Sequence, residues 1–122
     1  MISEPYLIIM NEKTITQYEN AFAKCKDVFL KKTKDYGTSW RILRARSITD
    51  QIYIKAKRIR TIDETGENKV GDSIESEFIG CVNYGIIAII QLNLQDKKDV
   101  AVELKYEEAE LLFDEQYNTI KK

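Results

Sequence analysis

Apolar side chains recur at helical intervals along most of this chain. Ile15, Tyr18, Phe22, Cys25 and Phe29 follow the i, i+3/i+4, i+7 rule. Thr14 or Thr16 can cap the start, and Lys31, Lys32 and Lys34 suit the negative end of the helix dipole. The spacing therefore predicts a first helix over 14–34. Residues 35–39 break the pattern, with Gly37 able to take a positive φ. Ile48, Ile52, Ala56, Ile59 and Ile62 form a second apolar face. That face predicts a helix starting at Ser47, where Ser47 to Asp50 resembles a capping box, and ending at the turn around Gly66. A third helix is predicted from Ser73 to Leu94, capped by Asp72 or Ser73, with Glu75 and Glu77 in its first turns. It is apolar on nearly all sides from Phe78 to Leu92, the mark of a central helix buried on every side. After a polar link at 96–99, Leu104, Leu111, Leu112 and Tyr117 predict a fourth helix over 103–121. Only residues 5–10 suggest a strand. The expected class is all-α: a four-helix antiparallel bundle behind a short N-terminal extended segment. The expected organisation is an extension (1–13), one unit (14–95), and a linker with a terminal helix (96–122).

Tyr18-Glu19, Phe22 and Lys26 match Phe113-Asp114, Tyr117 and Lys121 at a constant offset of 95 residues. Two amphipathic helices can match this well through pattern alone. The alternative is that helix four begins a second copy of the unit and projects away.

Composition narrows the chemistry. A chain of 122 residues fits one domain. It has no histidine, which excludes Ser-His-Asp and Cys-His nucleophile systems and any histidine-containing zinc site. Two cysteines cannot supply a four-thiolate zinc site. Catalysis would rest on carboxylates, Lys, Arg, Tyr and a hard cation held by oxygen. Cys25 and Cys81 sit within apolar helical patterns and read as core residues of a cytoplasmic protein. The N-terminus lacks the basic stretch of a signal peptide, and the apolar run from Phe78 to Leu94 falls short of a bilayer span, so no membrane partner is expected.

Net charge is −1, but its distribution is uneven. Arg41, Arg44, Arg46, Lys55, Lys57, Arg58 and Arg60 are opposed locally only by Asp50. This basic segment is either a solvated face or the seat of an anionic ligand. Five of the seven are arginines, suited to bidentate phosphate contacts, and Trp40 lies beside them with Tyr36 nearby, as a nucleobase would require. Asp72, Glu75 and Glu77 gather at the start of helix three. They either complement its dipole or hold Mg²⁺ against phosphates, with Asp50 or Asp35 completing the site. Asn83, inside an apolar run, must hydrogen-bond either another helix or a ligand.

Three ordered segments carry a resemblance: Lys32 to Arg44 with Asp35-Tyr36-Gly37 and Trp40, Ser47 to Arg60 with Lys55 and Arg58-Ile59, and Val70 to Ile87 with Asn83-Tyr84. Together they closely resemble the nucleotide modification associated domain 1 family, over roughly residues 14–95. That family in turn looks like the all-α, MazG-like NTP pyrophosphohydrolases. Those hydrolyse nucleoside triphosphates with Mg²⁺ held by helix-borne carboxylates. The resemblance implies phosphates resting on Lys55, Arg58 and Arg41 or Arg44, and Mg²⁺ on Glu77 assisted by Glu75, Asp72 or Asp50. It also implies a base near Tyr36 or Trp40, with Asp35, Gly37 and Asn83 in the nucleotide site. The pattern departs at Gly80, where the pyrophosphohydrolases carry Asp. Nucleotide binding is thus better supported than hydrolysis. The alternative is a non-catalytic module that binds nucleic acid or a partner protein through residues 41–60. A homodimer or higher symmetric oligomer is expected around helix three, which three neighbours alone cannot cover.

Overall fold

The computed structural model describes residues 4–66, 73–95, 97 and 102–121, with residues 4–10 and 121 described by their backbone alone. These form four α-helices: α1 (Glu4–Tyr36), α2 (Ala45–Thr65), α3 (Ile74–Leu94) and α4 (Tyr106–Lys121). A single 3-10 turn, Ser39–Ile42, lies between α1 and α2, and there is no strand among the described residues. The all-α expectation holds.

The expected N-terminal extended segment does not: α1 runs back to Glu4. Short apolar runs do not distinguish strand from helix by period. Pro5 stands in the first turn, where its missing N–H has no helical partner to lose. Gly37 stops α1 at a φ of 67°, and its N–H donates to the Thr33 carbonyl at 2.8 Å.

The second helix starts at Ala45, two residues before the expected Ser47 cap; Arg44 takes the cap position in an extended conformation without a side-chain bond. The far end follows the sequence. Gly66 adopts φ 70° and donates to the Ile62 carbonyl at 2.8 Å. The Ser73 hydroxyl caps α3 by accepting from the Ser76 N–H at 3.1 Å, while Asp72 lies outside the described residues.

The four helices pack as two antiparallel pairs. In the α2–α3 pair, Arg58 meets Glu77 and Lys55 lies on Gly80, so positions rise along one helix as they fall along the other. In the α1–α4 pair, Tyr18 stacks on Tyr117, Phe22 meets Phe113 edge-on, and Lys26 pairs with Asp114 at 2.9 Å. The two segments that match at an offset of 95 residues are therefore packed against each other. Helix four does not project away; Ala109 and Phe113 on it are fully buried. The core joins them to Phe22, Phe29, Trp40, Ile48, Ile86 and Ile90.

The third helix is not buried on every side within one chain. Phe78, at 54%, Val82, Ile89 and Leu92 remain exposed. Among the described helices, α3 alone is long and apolar enough to cross a membrane by length and composition, while its Ile86, Ile87, Ile90 and Leu94 face the core.

Candidate functional site

A cavity of about 670 Å³ opens between α1, the 3-10 turn, α2 and α3. Its position follows from the break after α1. Gln91 on α3 donates from Nε2 to the carbonyls of Trp40, Arg41 and Leu43 at 3.1, 2.7 and 3.2 Å, and accepts from Arg41 Nη1 through Oε1. The Thr38 hydroxyl accepts from the Leu104 N–H at 2.9 Å, tying the same break to the start of the α4 region. These bonds hold the turn against α3 and seat the Trp40 ring beside Phe29, with centroids 6.4 Å apart.

The aromatic wall comprises Phe29, Trp40, Tyr84 and, at the mouth, the exposed Tyr36. Lys32 and Lys55 supply cations. Among the described residues, Glu77 is the one carboxylate lining the cavity. It is 3% exposed; its Oε1 lies 3.6 Å from Arg58 Nη1, and its Oε2 has no hydrogen-bond partner. Asn83, 6% exposed, donates from Nδ2 to the Cys25 carbonyl at 3.0 Å, while its Oδ1 has no partner. Buried polar atoms are almost always paired in folded proteins, so two orphaned acceptors in one cavity call for a donor-bearing ligand or ordered water.

Of the residues singled out in the sequence, Tyr36, Gly37, Trp40, Lys55, Glu77 and Asn83 line this cavity, and Arg58 reaches it through Glu77. Others are not brought there. Glu75 points elsewhere and pairs with Lys24 at 3.0 Å on the surface. Asp35, Asp50 and Arg44 are exposed and do not line the cavity. Arg41 bonds Gln91, which makes it a brace for the turn. Three residues escaped the sequence reading. Lys32 carried no signal beyond its place at a helix end. Tyr84 was matched only as a family residue, and its ring lies 5.7 Å from the Lys55 ammonium. Gln91 was readable by the argument applied to Asn83, since it too interrupts an apolar run and must hydrogen-bond something.

Among the described residues no three acidic or cysteine side chains gather as metal ligands. Magnesium is commonly held by one or two carboxylates together with phosphate oxygens and water. Among the described residues of this cavity the carboxylate oxygen left for it is Glu77 Oε2, while Oε1 of the same group lies 3.6 Å from Arg58 Nη1. Among the described residues the cavity offers a divalent ion one carboxylate, Glu77, which already pairs with Arg58.

Burial pushes both thiols up. Cys25 is buried and free; Cys81 is half-buried and free, with Glu77 adding to the rise and Lys55 opposing it. Neither is poised as a nucleophile.

A family model described as nucleotide modification associated domain 1 matches residues 32–92, half of the 122-residue chain. The match contains the cavity-lining residues from Lys32 to Ile87, while Val28 and Phe29 of α1 precede it. No curated protein and no solved structure matches the chain significantly.

Proposed function

Because this chain belongs to the nucleotide modification associated domain 1 family, we propose that it binds a nucleotide in the cavity between α1, α2 and α3. The observation that carries this reading is the buried Glu77 carboxylate, with an unpartnered Oε2 inside a slot that also offers aromatic faces and lysines. A volume of about 670 Å³ suits a nucleotide-sized ligand. Base or sugar N–H and O–H donors would satisfy Glu77 Oε2 and Asn83 Oδ1. The base would lie against Trp40 or Tyr36, and the phosphates would meet Lys55 and Lys32.

The same geometry favours binding over Mg²⁺-dependent pyrophosphohydrolysis, since Glu77 is the one cavity carboxylate among the described residues. A thermal-shift screen of nucleoside mono- and triphosphates tests the reading. A ligand that binds only the folded state raises its melting temperature. A raised Tm with at least one nucleotide is expected; an unchanged Tm across the whole panel would overturn the proposal.

We also propose that a second copy covers the exposed Phe78, Val82, Ile89 and Leu92 of α3, giving a homodimer. Sedimentation should return a dimer in place of the 14.2 kDa monomer, and Phe78→Lys should return the monomer.

A further inference from the structure

Glu77 and Gly80 lie one turn apart on the same face of α3. Two carboxylates at that spacing are a natural seat for a divalent cation, but the second position here has no side chain. The room it leaves is occupied. A Cβ at Gly80 would stand 2.6 Å from Lys55 Cδ, 2.8 Å from Cε and 3.2 Å from Nζ. The lysine stem thus lies directly on the bare backbone of α3. Its ammonium is held between that backbone and the Tyr84 ring, whose centroid is 5.7 Å away.

We propose that Lys55, seated over Gly80, takes the place of a divalent cation, so that the cavity binds the phosphate of its nucleotide directly and without metal. This rests on the reading of the cavity as a nucleotide site. Three features converge on it. The ammonium fills the position from which a second carboxylate would reach an ion. Arg58 Nη1 lies 3.6 Å from Glu77 Oε1, so the carboxylate already has a cationic partner. The unpartnered Glu77 Oε2 is left able to accept from an N–H or O–H of the ligand. Phosphate, an acceptor, then falls to Lys55, and the donor groups of sugar or base fall to Glu77. A side chain at Gly80 would make the lysine stem shift from this seat.

Isothermal titration of the full chain with deoxynucleoside mono- and triphosphates, once in EDTA and once in MgCl₂, tests the inference. The expected result is the same affinity under both conditions. Lys55→Met keeps the stem over Gly80 and removes only the charge. It should weaken binding by ~10–150-fold, the scale of one lost charge-assisted hydrogen bond. Binding that disappears in EDTA, or a Lys55→Met variant that binds as wild type, would overturn the inference while leaving nucleotide binding standing. Absence of binding under both conditions would overturn the nucleotide reading, and the inference with it.

Discussion

Replacing Arg58 with Met removes the ion-pair partner of a carboxylate that is 3% exposed. At 3.6 Å the two charges attract by roughly 4–5 kcal/mol at an effective dielectric constant near 20. Burying Glu77 offsets much of that attraction, so the pair itself adds little net stability. Removing one partner is a different perturbation, because it leaves a buried charge uncompensated. That costs about 3–5 kcal/mol when both partners are buried. The Arg58 side chain is 39% exposed, so water already shares its charge, and about 2 kcal/mol is the better expectation. Glu77→Gln removes the buried charge at nearly constant volume and should cost under about 1 kcal/mol. The double variant should then resemble Glu77→Gln alone, giving a coupling of about 2 kcal/mol. Urea unfolding followed by circular dichroism measures all four corners of the cycle. An Arg58→Met cost below about 0.5 kcal/mol, or costs that simply add, would refute the claim that Arg58 compensates a buried charge.

Three further outcomes are expected. Phe113→Ala should destabilise the fold by ~3–5 kcal/mol in the same assay, since its fully buried ring stacks on Phe29 at 4.7 Å and meets Phe22 edge-on; a cost under about 1 kcal/mol would show that α4 does not close the core. The hydrogen bond to Asp114 raises the Lys26 pKa above its ordinary 10.5, with the charges of Asp114 and Glu110 adding and desolvation opposing. Its contribution is therefore complete below pH 10.5 and is lost as pH rises through the higher folded value. The stability gap between wild type and Lys26→Met, about 1 kcal/mol or less, should accordingly hold at neutral pH and close only in strong alkali; a gap that closes below about pH 9 would contradict this. In a Cys81→Ser background, Cys25 should react with a thiol reagent only after urea unfolding, because burial raises its pKa and hides its sulfur; rapid native labelling would contradict its core placement.

What the sequence revealed was local. The Ser73 cap and the Gly37 and Gly66 stops depend on neighbours within a turn and are where the spacing put them; on the α2 face Ile48 is buried, Ile52, Ile59 and Ile62 are partly buried, and Ala56 is exposed. The start of α2 is not local. Arg44 gives it no side-chain cap, and it is fixed by the fully buried Ile48 and by the grip of Gln91 on the Leu43 carbonyl. Residues 5–10 read as strand because a short apolar run carries no usable period. At the site, Tyr36, Gly37, Trp40, Lys55, Glu77 and Asn83 were identified by residue type and resemblance. The pairing of Arg58 with Glu77 and the seating of Lys55 on Gly80 required the register of α2 against α3, which no intrahelical spacing encodes. Glu75 lies away from the cavity for a related reason: it is two residues from Glu77, so it faces another side of the helix and meets Lys24.

Trp40 is the only tryptophan in the chain and lines the cavity, so its fluorescence reports directly on what enters there. Titration of the wild-type protein with nucleotides is the most direct test of the central claim. A saturable change in Trp40 emission is expected, and it should be weakened in Glu77→Gln and in Lys55→Met while both variants remain folded. Emission that does not respond to any nucleotide, or a response that both variants retain unchanged, would contradict the claim that this cavity is the nucleotide site.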